Sequence, residues 1–95
     1  MKTIYKYTIK PSMDILAIKT FKDAKILSVG MDGFGVNSLW MEVDTKKDPE
    51  IKYFICVGTG WELDFFDNMI AAKTYIGTVN CGGYIWHTYE VSLCE

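Results

Sequence analysis

The 95-residue chain contains no arginine, so all ten of its basic residues are lysines. Arginine supplies the planar, two-pronged donor that binds guanine edges and phosphates. A protein that reads DNA or RNA sequence would be unusual without it. We therefore expect no sequence-specific nucleic-acid partner.

The chain also lacks long apolar runs. None approaches the roughly 18 residues that span a bilayer, so we expect no membrane partner. Residues 1–7 alternate lysine with aromatic residues where a signal peptide would be continuously apolar, which predicts that the protein is not secreted. The cysteines Cys56, Cys81 and Cys94 are odd in number and form no C-x-x-C pair. This pattern is typical of free, mostly buried thiols in a reducing cytoplasm.

What the chain does contain fits a single domain, residues 1–95. Apolar residues make up 49% of the sequence, which is enough for a real core. The charge is uneven: residues 1–25 hold six lysines and two acids, a net of +4, and residues 26–95 hold four lysines and ten acids, a net of −6. A solvated charged surface explains this asymmetry; steering of a partner or head-to-tail self-association is the alternative.

Runs of alternating apolar and polar residues recur between turn signals, which predicts an all-β domain. Run 51–57 is apolar on both faces, as is typical of a central strand covered on each side. About seven strands are best covered in a compact small sandwich or barrel. The predicted strands are residues 3–10, 15–21, 24–29, 36–44, 51–57, 74–80 and 84–93.

Glycines mark several predicted turns. The pair Asp32-Gly33 between apolar runs predicts a two-residue type I′ hairpin turn, because both central residues of that turn need positive φ. Gly77 inside a strand indicates a bulge or a close backbone approach. The glycines of residues 58–60 and 82–83 are typical of turns with positive φ.

The β pattern stops between residues 61 and 73. Apolar residues at helical spacing predict a short helix near residues 62–72. A packed irregular loop fits equally well, because the Asp-Asn pair in the middle competes with helix formation. The residues of the helical stripe are Leu63, Phe66, Met69 and Ile70.

No catalytic or cofactor motif is found. The only histidine, His87, lies mid-strand on an apolar face, where a structural imidazole is the favoured interpretation over a Cys-His nucleophile pair. The cysteines and His87 lack the tight spacing of a zinc site. The glycine pairs match neither the P-loop nor the dinucleotide fingerprint. We therefore expect no enzyme, no metal and no cofactor.

Several segments together resemble a family of short bacteriophage and prophage proteins of unknown activity. The resemblance covers most of the chain, and its opening heptad and YIGTV segment are the most specific parts. The segments are residues 1–7 (MKTIYKY), 24–29 (AKILSV), 39–40 (LW), 43–44 (VD), 57–60 (VGTG), 75–79 (YIGTV) and 86–90 (WHTYE).

This chain departs from that family between Trp61 and Ala72, where an acidic-aromatic insertion replaces a shorter, proline-containing loop. The resemblance implies a phage accessory protein in the cytoplasm of a bacterial host. Such proteins often bind host proteins, including defence systems, and that step is an analogy.

Three functions follow as hypotheses. The first is a non-enzymatic inhibitor of a bacterial defence component, in the manner of an anti-CRISPR protein, with the acidic-aromatic residues as contacts. The second is an oligomer that sequesters a small molecule such as a nucleotide signal, with aromatic pockets between subunits that stack the base and lysines that neutralise phosphate. The third is a virion-associated or self-associating structural protein. The contact residues of the first are Trp61, Glu62, Asp64, Phe65 and Asp67. The ligand-binding residues of the second are Tyr5, Lys6, Tyr7, Tyr84 and Trp86.

Overall fold

The computed structural model describes all 95 residues and consists of two antiparallel sheets packed face to face. The strands are β1 (Lys2–Thr8), β2 (Ser12–Phe21), β3 (Lys25–Met31), β4 (Asn37–Asp44), β5 (Pro49–Gly58), β6 (Ile70–Cys81) and β7 (Tyr84–Leu93). The small sheet has the order β1-β4-β3 and the large sheet the order β2-β5-β7-β6. This arrangement confirms the predicted all-β class, and it is a sandwich.

The core between the sheets follows from the two-residue period of the strands. Leu39, Met41 and Val43 on β4 face inward and are at most 2% exposed. They meet Phe54 and Cys56, which project from β5 toward the small sheet. Burial of an apolar side chain of this size stabilises the fold by roughly 1.5–3 kcal/mol.

A buried polar side chain links the two sheets where β4 begins and β5 ends. The Asn37 amide donates hydrogen bonds to the Ile9 carbonyl at 3.2 Å and to Cys56 Sγ at 3.4 Å. Thr88 Oγ1 donates a second hydrogen bond to the same sulfur at 3.6 Å. Burial raises the pKa of the Cys56 thiol, which therefore stays protonated and acts as a packing group.

The three thiols differ in burial. Cys56 is buried as predicted, Cys81 is half-buried, and Cys94 is exposed, so the expectation of burial was wrong for Cys94. Cys94 follows the end of β7, and its backbone N–H donates to the Met69 carbonyl. All three thiols are free.

The outer face of the large sheet carries a second apolar cluster. The segment of residues 59–69 connects β5 to β6 and crosses this face, because β7 lies between the two strands that it joins. It places Phe66, 3% exposed, against Ile55, Val57 and Val91. Residues 54–57 of the predicted central run are thus covered on both sides, whereas Ile51 at its start stays exposed.

The segment forms a single 3₁₀ turn, Leu63–Phe66, and no longer helix. Leu63 and Phe66 do face the sheet, as the predicted stripe requires. Met69 is 37% exposed and Ile70 already begins β6, so helical geometry is confined to residues 63–66 and the rest of the segment is the packed irregular loop that the sequence equally allowed. Pairing of Ile70 with Leu93 in the β ladder ends the helical geometry. No helix of the structure has the length and apolarity needed to cross a membrane.

The β3–β4 hairpin exists as predicted, but its turn is longer than two residues. The positive φ occurs at Gly35 (77°) and not at Gly33. Asp32 Oδ1 accepts hydrogen bonds from the backbone N–H groups of Phe34 at 2.8 Å and Val36 at 2.9 Å. These bonds favour a wider loop over the type I′ turn, because a short carboxylate competes for nearby backbone donors.

A two-glycine turn is found instead in the β6–β7 hairpin. Gly82 and Gly83 both have positive φ, at 58° and 92°, and Cys81 pairs directly with Tyr84. Gly60 also has positive φ (87°), as expected for that turn. Gly58 instead belongs to β5 and is buried.

The strand directions give the sandwich two distinct ends. At the upper end lie the loops of residues 32–36, 59–61 and 82–83, each with glycine and an aromatic residue within it or directly after it. At the lower end lie the charged turns of residues 22–24 and 45–48.

Gly77 marks a bulge and a close approach between the two sheets, as predicted. A Cβ atom at this position would lie 2.8 Å from Cγ2 of Val29 on β3. The two edge strands therefore meet here with no room for a side chain.

We expect Gly77→Ala to destabilise the protein by about 1–3 kcal/mol, the usual cost of overpacking a core. Urea unfolding followed by circular dichroism measures this difference. Gly33→Ala is the matched control, because no atom lies within 4 Å of the added Cβ and its φ is not positive. Equal stability of the two variants would contradict the close approach.

The hairpin carboxylate of Asp32 is held ionised by its hydrogen bonds. The bond from Lys6 Nζ at 2.8 Å, together with the backbone donors of Val36 and Phe34, lowers the pKa of Asp32 from 3.8 to about 2. The stabilisation by this carboxylate is complete above pH 3.8 and is lost as the pH falls through about 2, because the folded state binds the proton less tightly.

An NMR titration of the Asp32 carboxyl carbon should therefore give a midpoint near 2. We expect Lys6→Met to raise that midpoint, because the lysine bond is the largest cause of the shift. A wild-type midpoint at 3.8 would show that the hairpin bonds do not form in solution.

Candidate functional site

Three aromatic side chains form a cluster at the upper end of the large sheet. The ring of Tyr84 stacks on Trp86 with a centroid distance of 5.8 Å and an angle of 8°. The ring of Trp61 packs edge-on against Trp86 at 5.6 Å and 72°. Both geometries are favourable for aromatic pairs. We call Trp61, Tyr84 and Trp86 the aromatic cluster.

The cluster depends on the pairing register of β5 and β7. Gly58 pairs with Trp86, and the missing side chain of Gly58 leaves room for the indole of Trp61. A Cβ atom on Gly58 would lie 2.8 Å from Trp61 Nε1 and 3.2 Å from the Trp86 ring. The backbone N–H of Trp61 also donates to the Gly58 carbonyl, which closes a tight turn.

Exposure divides the cluster into a support and a surface. Trp86 is half-buried and packs against the main core. Tyr84 is 68% exposed and Trp61 is 38% exposed. The cluster therefore presents two large aromatic surfaces to solvent on a rigid base. A shallow concavity of about 280 Å³ lies here, lined by Gly58, Thr59, Trp61, Gly83, Tyr84, Ile85 and Trp86.

The only histidine lies next to this cluster. His87 Nε2 is hydrogen-bonded to Thr59 Oγ1 at 2.7 Å, and Nδ1 is hydrogen-bonded to Thr78 Oγ1 at 3.1 Å. The Thr78 hydroxyl is also hydrogen-bonded to the hydroxyl of Tyr75. Both imidazole nitrogens are thus occupied, so His87 links the turn before Trp61 to β6. This arrangement is that of a structural imidazole.

The predicted partner-binding residues all lie on the surface. Trp61, Glu62, Asp64, Phe65 and Asp67 are exposed, and Phe65 is 56% exposed. None of the three acids forms a salt bridge. Their neighbours Leu63 and Phe66 point inward instead, so the segment separates into a buried stripe and an acidic-aromatic surface.

The predicted ligand-binding set is split by the structure. Tyr84 and Trp86 lie together, but Tyr5 and Tyr7 lie on β1, where Tyr5 packs edge-on against Phe21 at 6.2 Å. Lys6 points to the opposite face of β1 and binds Asp32. One pocket made of all five residues is therefore not present within the chain, because a strand alternates its side chains between faces.

Sequence reasoning assigned Trp61 to one hypothesis and Tyr84 with Trp86 to another. The structure joins all three. The signal that joins them is the pairing of Gly58 with Trp86, a contact between distant residues that no local pattern encodes. No group of three or more histidine, cysteine or acidic side chains is positioned to share a metal ion.

Fold and surface together define a small two-sheet β-sandwich with an exposed aromatic cluster at one end. The chain belongs to the family described as "Domain of unknown function (DUF7352)", whose model matches residues 1–93. No curated protein and no solved structure matches the chain significantly.

We expect Gly58→Ala to displace Trp61 from its place on Trp86, because the new Cβ would overlap the indole. The loss of the edge-on pair should appear as a weaker near-ultraviolet circular dichroism signal and a stability loss of about 1–3 kcal/mol. In a Trp61→Ala background the same glycine substitution should cost clearly less, which a double-mutant cycle measures. Additive effects would mean that the two residues do not share this space.

Proposed function

We propose that this protein acts by binding a partner protein and not by catalysis, and that the aromatic cluster is the centre of the binding surface. The observation that carries this proposal is the exposure of Tyr84 and Trp61 on the half-buried support of Trp86. Aromatic rings held in this way lose little conformational entropy on binding, and they are frequent energetic centres of protein interfaces.

The acidic segment extends this surface. Glu62 follows Trp61 directly in the chain, Asp64 lies two residues further on, and neither forms a salt bridge. Such carboxylates favour a partner with lysine or arginine around an apolar patch, because complementary charge speeds association and excludes unsuitable partners. The expected partner surface is therefore apolar at its centre and basic at its rim.

The class of partner is proposed from the resemblance to phage proteins. A host protein of a bacterial defence system, met in the host cytoplasm, is the first partner to test. This step rests on analogy, while the location of the binding surface rests on the geometry of the cluster.

A second candidate function is the binding of a small planar molecule in the concavity beside Tyr84. The parallel stacking of Tyr84 on Trp86 favours it, since a further flat ring can continue the stack. No lysine lines the concavity, so no local group would neutralise a phosphate. An uncharged or cationic planar ligand fits better than a nucleotide.

The test is purification of tagged protein from infected host cells, followed by native mass spectrometry. We expect a host protein at fixed stoichiometry with the wild-type chain and its loss with Tyr84→Ala and Trp61→Ala. Each substitution should weaken binding tenfold or more, as removal of an interface aromatic commonly does. Ile51→Ala is the control, because Ile51 is an exposed apolar residue (51%) outside the cluster.

Equal recovery of the partner with the tyrosine, tryptophan and isoleucine variants would overturn this location of the site. A bare chain that carries a small extra mass, lost with Tyr84→Ala, would favour the small-molecule function instead.

A further inference from the structure

The tip of the β3–β4 hairpin carries the most exposed large apolar side chain of the molecule. Phe34 is 89% exposed, and Val36 beside it is 38% exposed. Lys6 Nζ lies 6.0 Å from the centre of the Phe34 ring. An apolar ring held almost fully in water needs an explanation, because its burial elsewhere would stabilise a complex.

This phenylalanine is held by an ordered loop. Asp32 accepts the backbone N–H groups of Phe34 and Val36, and it also binds Lys6 Nζ at 2.8 Å. The Asp32 N–H donates to the Val36 carbonyl, which closes the loop. A ring on such a loop loses little entropy when it enters a pocket, which is the advantage of preorganisation.

The same chain contains a half-open pocket of suitable size, and most of its lining residues are apolar. It lies on the outer face of the large sheet beside the crossing segment, and its volume is about 280 Å³. Six of its eight lining residues are apolar, among them Leu63 and Phe66 of the 3₁₀ turn and Ile70 and Ala72 of β6. A cavity of roughly 150 Å³ lined by such side chains accommodates a benzene ring. The volume of this pocket is therefore sufficient for a phenylalanine ring.

The charges near the two features are complementary. Lys6, beside Phe34, keeps its side chain 42% exposed although it binds Asp32. Asp67 lines the pocket and has no salt-bridge partner. Lys73, the other charged residue of the pocket, has its ammonium 5.3 Å from the centre of the Tyr89 ring.

We propose that Phe34 of one copy of this chain inserts into the pocket formed by Leu63, Phe66, Ile70 and Ala72 of a second copy. Two different patches meet in this contact, so it is heterologous and produces rings or chains of subunits. The contact uses neither Trp61 nor Tyr84, so variants of these two residues test the proposed partner surface without removing this contact.

The first test is sedimentation velocity over a range of concentrations, supported by native mass spectrometry. We expect the wild-type protein to associate as its concentration rises and Phe34→Ser to remain a monomer at the same concentrations. Leu27→Ser is the matched control, because Leu27 is also an exposed apolar residue (44%) but lies outside both patches, and this variant should associate like the wild type. A monomeric wild-type protein, or unchanged association of Phe34→Ser, would overturn the proposal.

The decisive test mixes two variants. Lys73 lines the pocket and pairs with Val91, whose side chain lies on the same outer face of the sheet. Lys73→Trp therefore covers the pocket but keeps Phe34, whereas Phe34→Ser removes the ring but keeps the pocket. Each variant alone should be monomeric, and their mixture should give a 1:1 dimer and nothing larger, because only one complementary contact remains. A mixture that stays monomeric would overturn the heterologous contact.

A surface substitution at the rim of the pocket tests the same contact without changing the packing of the fold. Asp67 is exposed, so Asp67→Lys should leave the circular dichroism spectrum unchanged and weaken association severalfold through repulsion from Lys6. Association as strong as that of the wild type would show that Asp67 does not face the lysine of a second copy.

Discussion

The large sheet is apolar on both faces, and most of the molecule follows from the need to cover each of them. On β5, Phe54 and Cys56 face one way while Ile55 and Val57 face the other, and all four are buried. The small sheet covers the first face. No second sheet covers the other face, so the connection from β5 to β6 crosses it and places Phe66 on Ile55. Exposure of either face would remove the burial of several apolar side chains, and each of them stabilises the fold by roughly 1.5–3 kcal/mol.

A crossing segment of eleven residues (59–69) covers a sheet face incompletely, and the surface features arise where it begins and ends. At its start, the tight turn after Gly58 brings Trp61 onto Trp86, which produces the aromatic cluster. At its end, the change from the 3₁₀ turn to β6 leaves the pocket between Phe66 and Ala72. The same local geometry thus supplies both an exposed aromatic surface and an apolar cavity.

Alternation along the strands predicted the fold well, because a period of two assigns each side chain to a face wherever one face is buried. The faces of β4 and β5 follow from it, and the glycine inside strand β6 indicated the close approach at Gly77. Where the local structure differs from the predicted turn and helix, competition for hydrogen-bond partners is the cause. The Asp32 carboxylate captured two backbone donors and widened the turn, and pairing with Leu93 drew Ile70 into a strand. The aromatic cluster was not predictable, since it depends on the register between Gly58 and Trp86, which are 28 residues apart.

The two ends of the sandwich are held by different forces, and this difference locates the surface suited to binding. At the lower end, the exposed Lys47 and Asp23 form an ion pair at 3.3 Å, which contributes little and weakens with salt. At the upper end, the buried Asn37 amide and Cys56 thiol tie the sheets together behind the loops. The loops at the upper end carry Phe34, Trp61 or Tyr84, and such aromatic side chains bury large areas on contact at low entropic cost. The lysine-rich turns at the lower end must first lose both hydration and rotamer freedom. This difference in entropic cost supports the upper end as the place of the proposed binding surface, and the charged remainder is suited to steering a partner toward it.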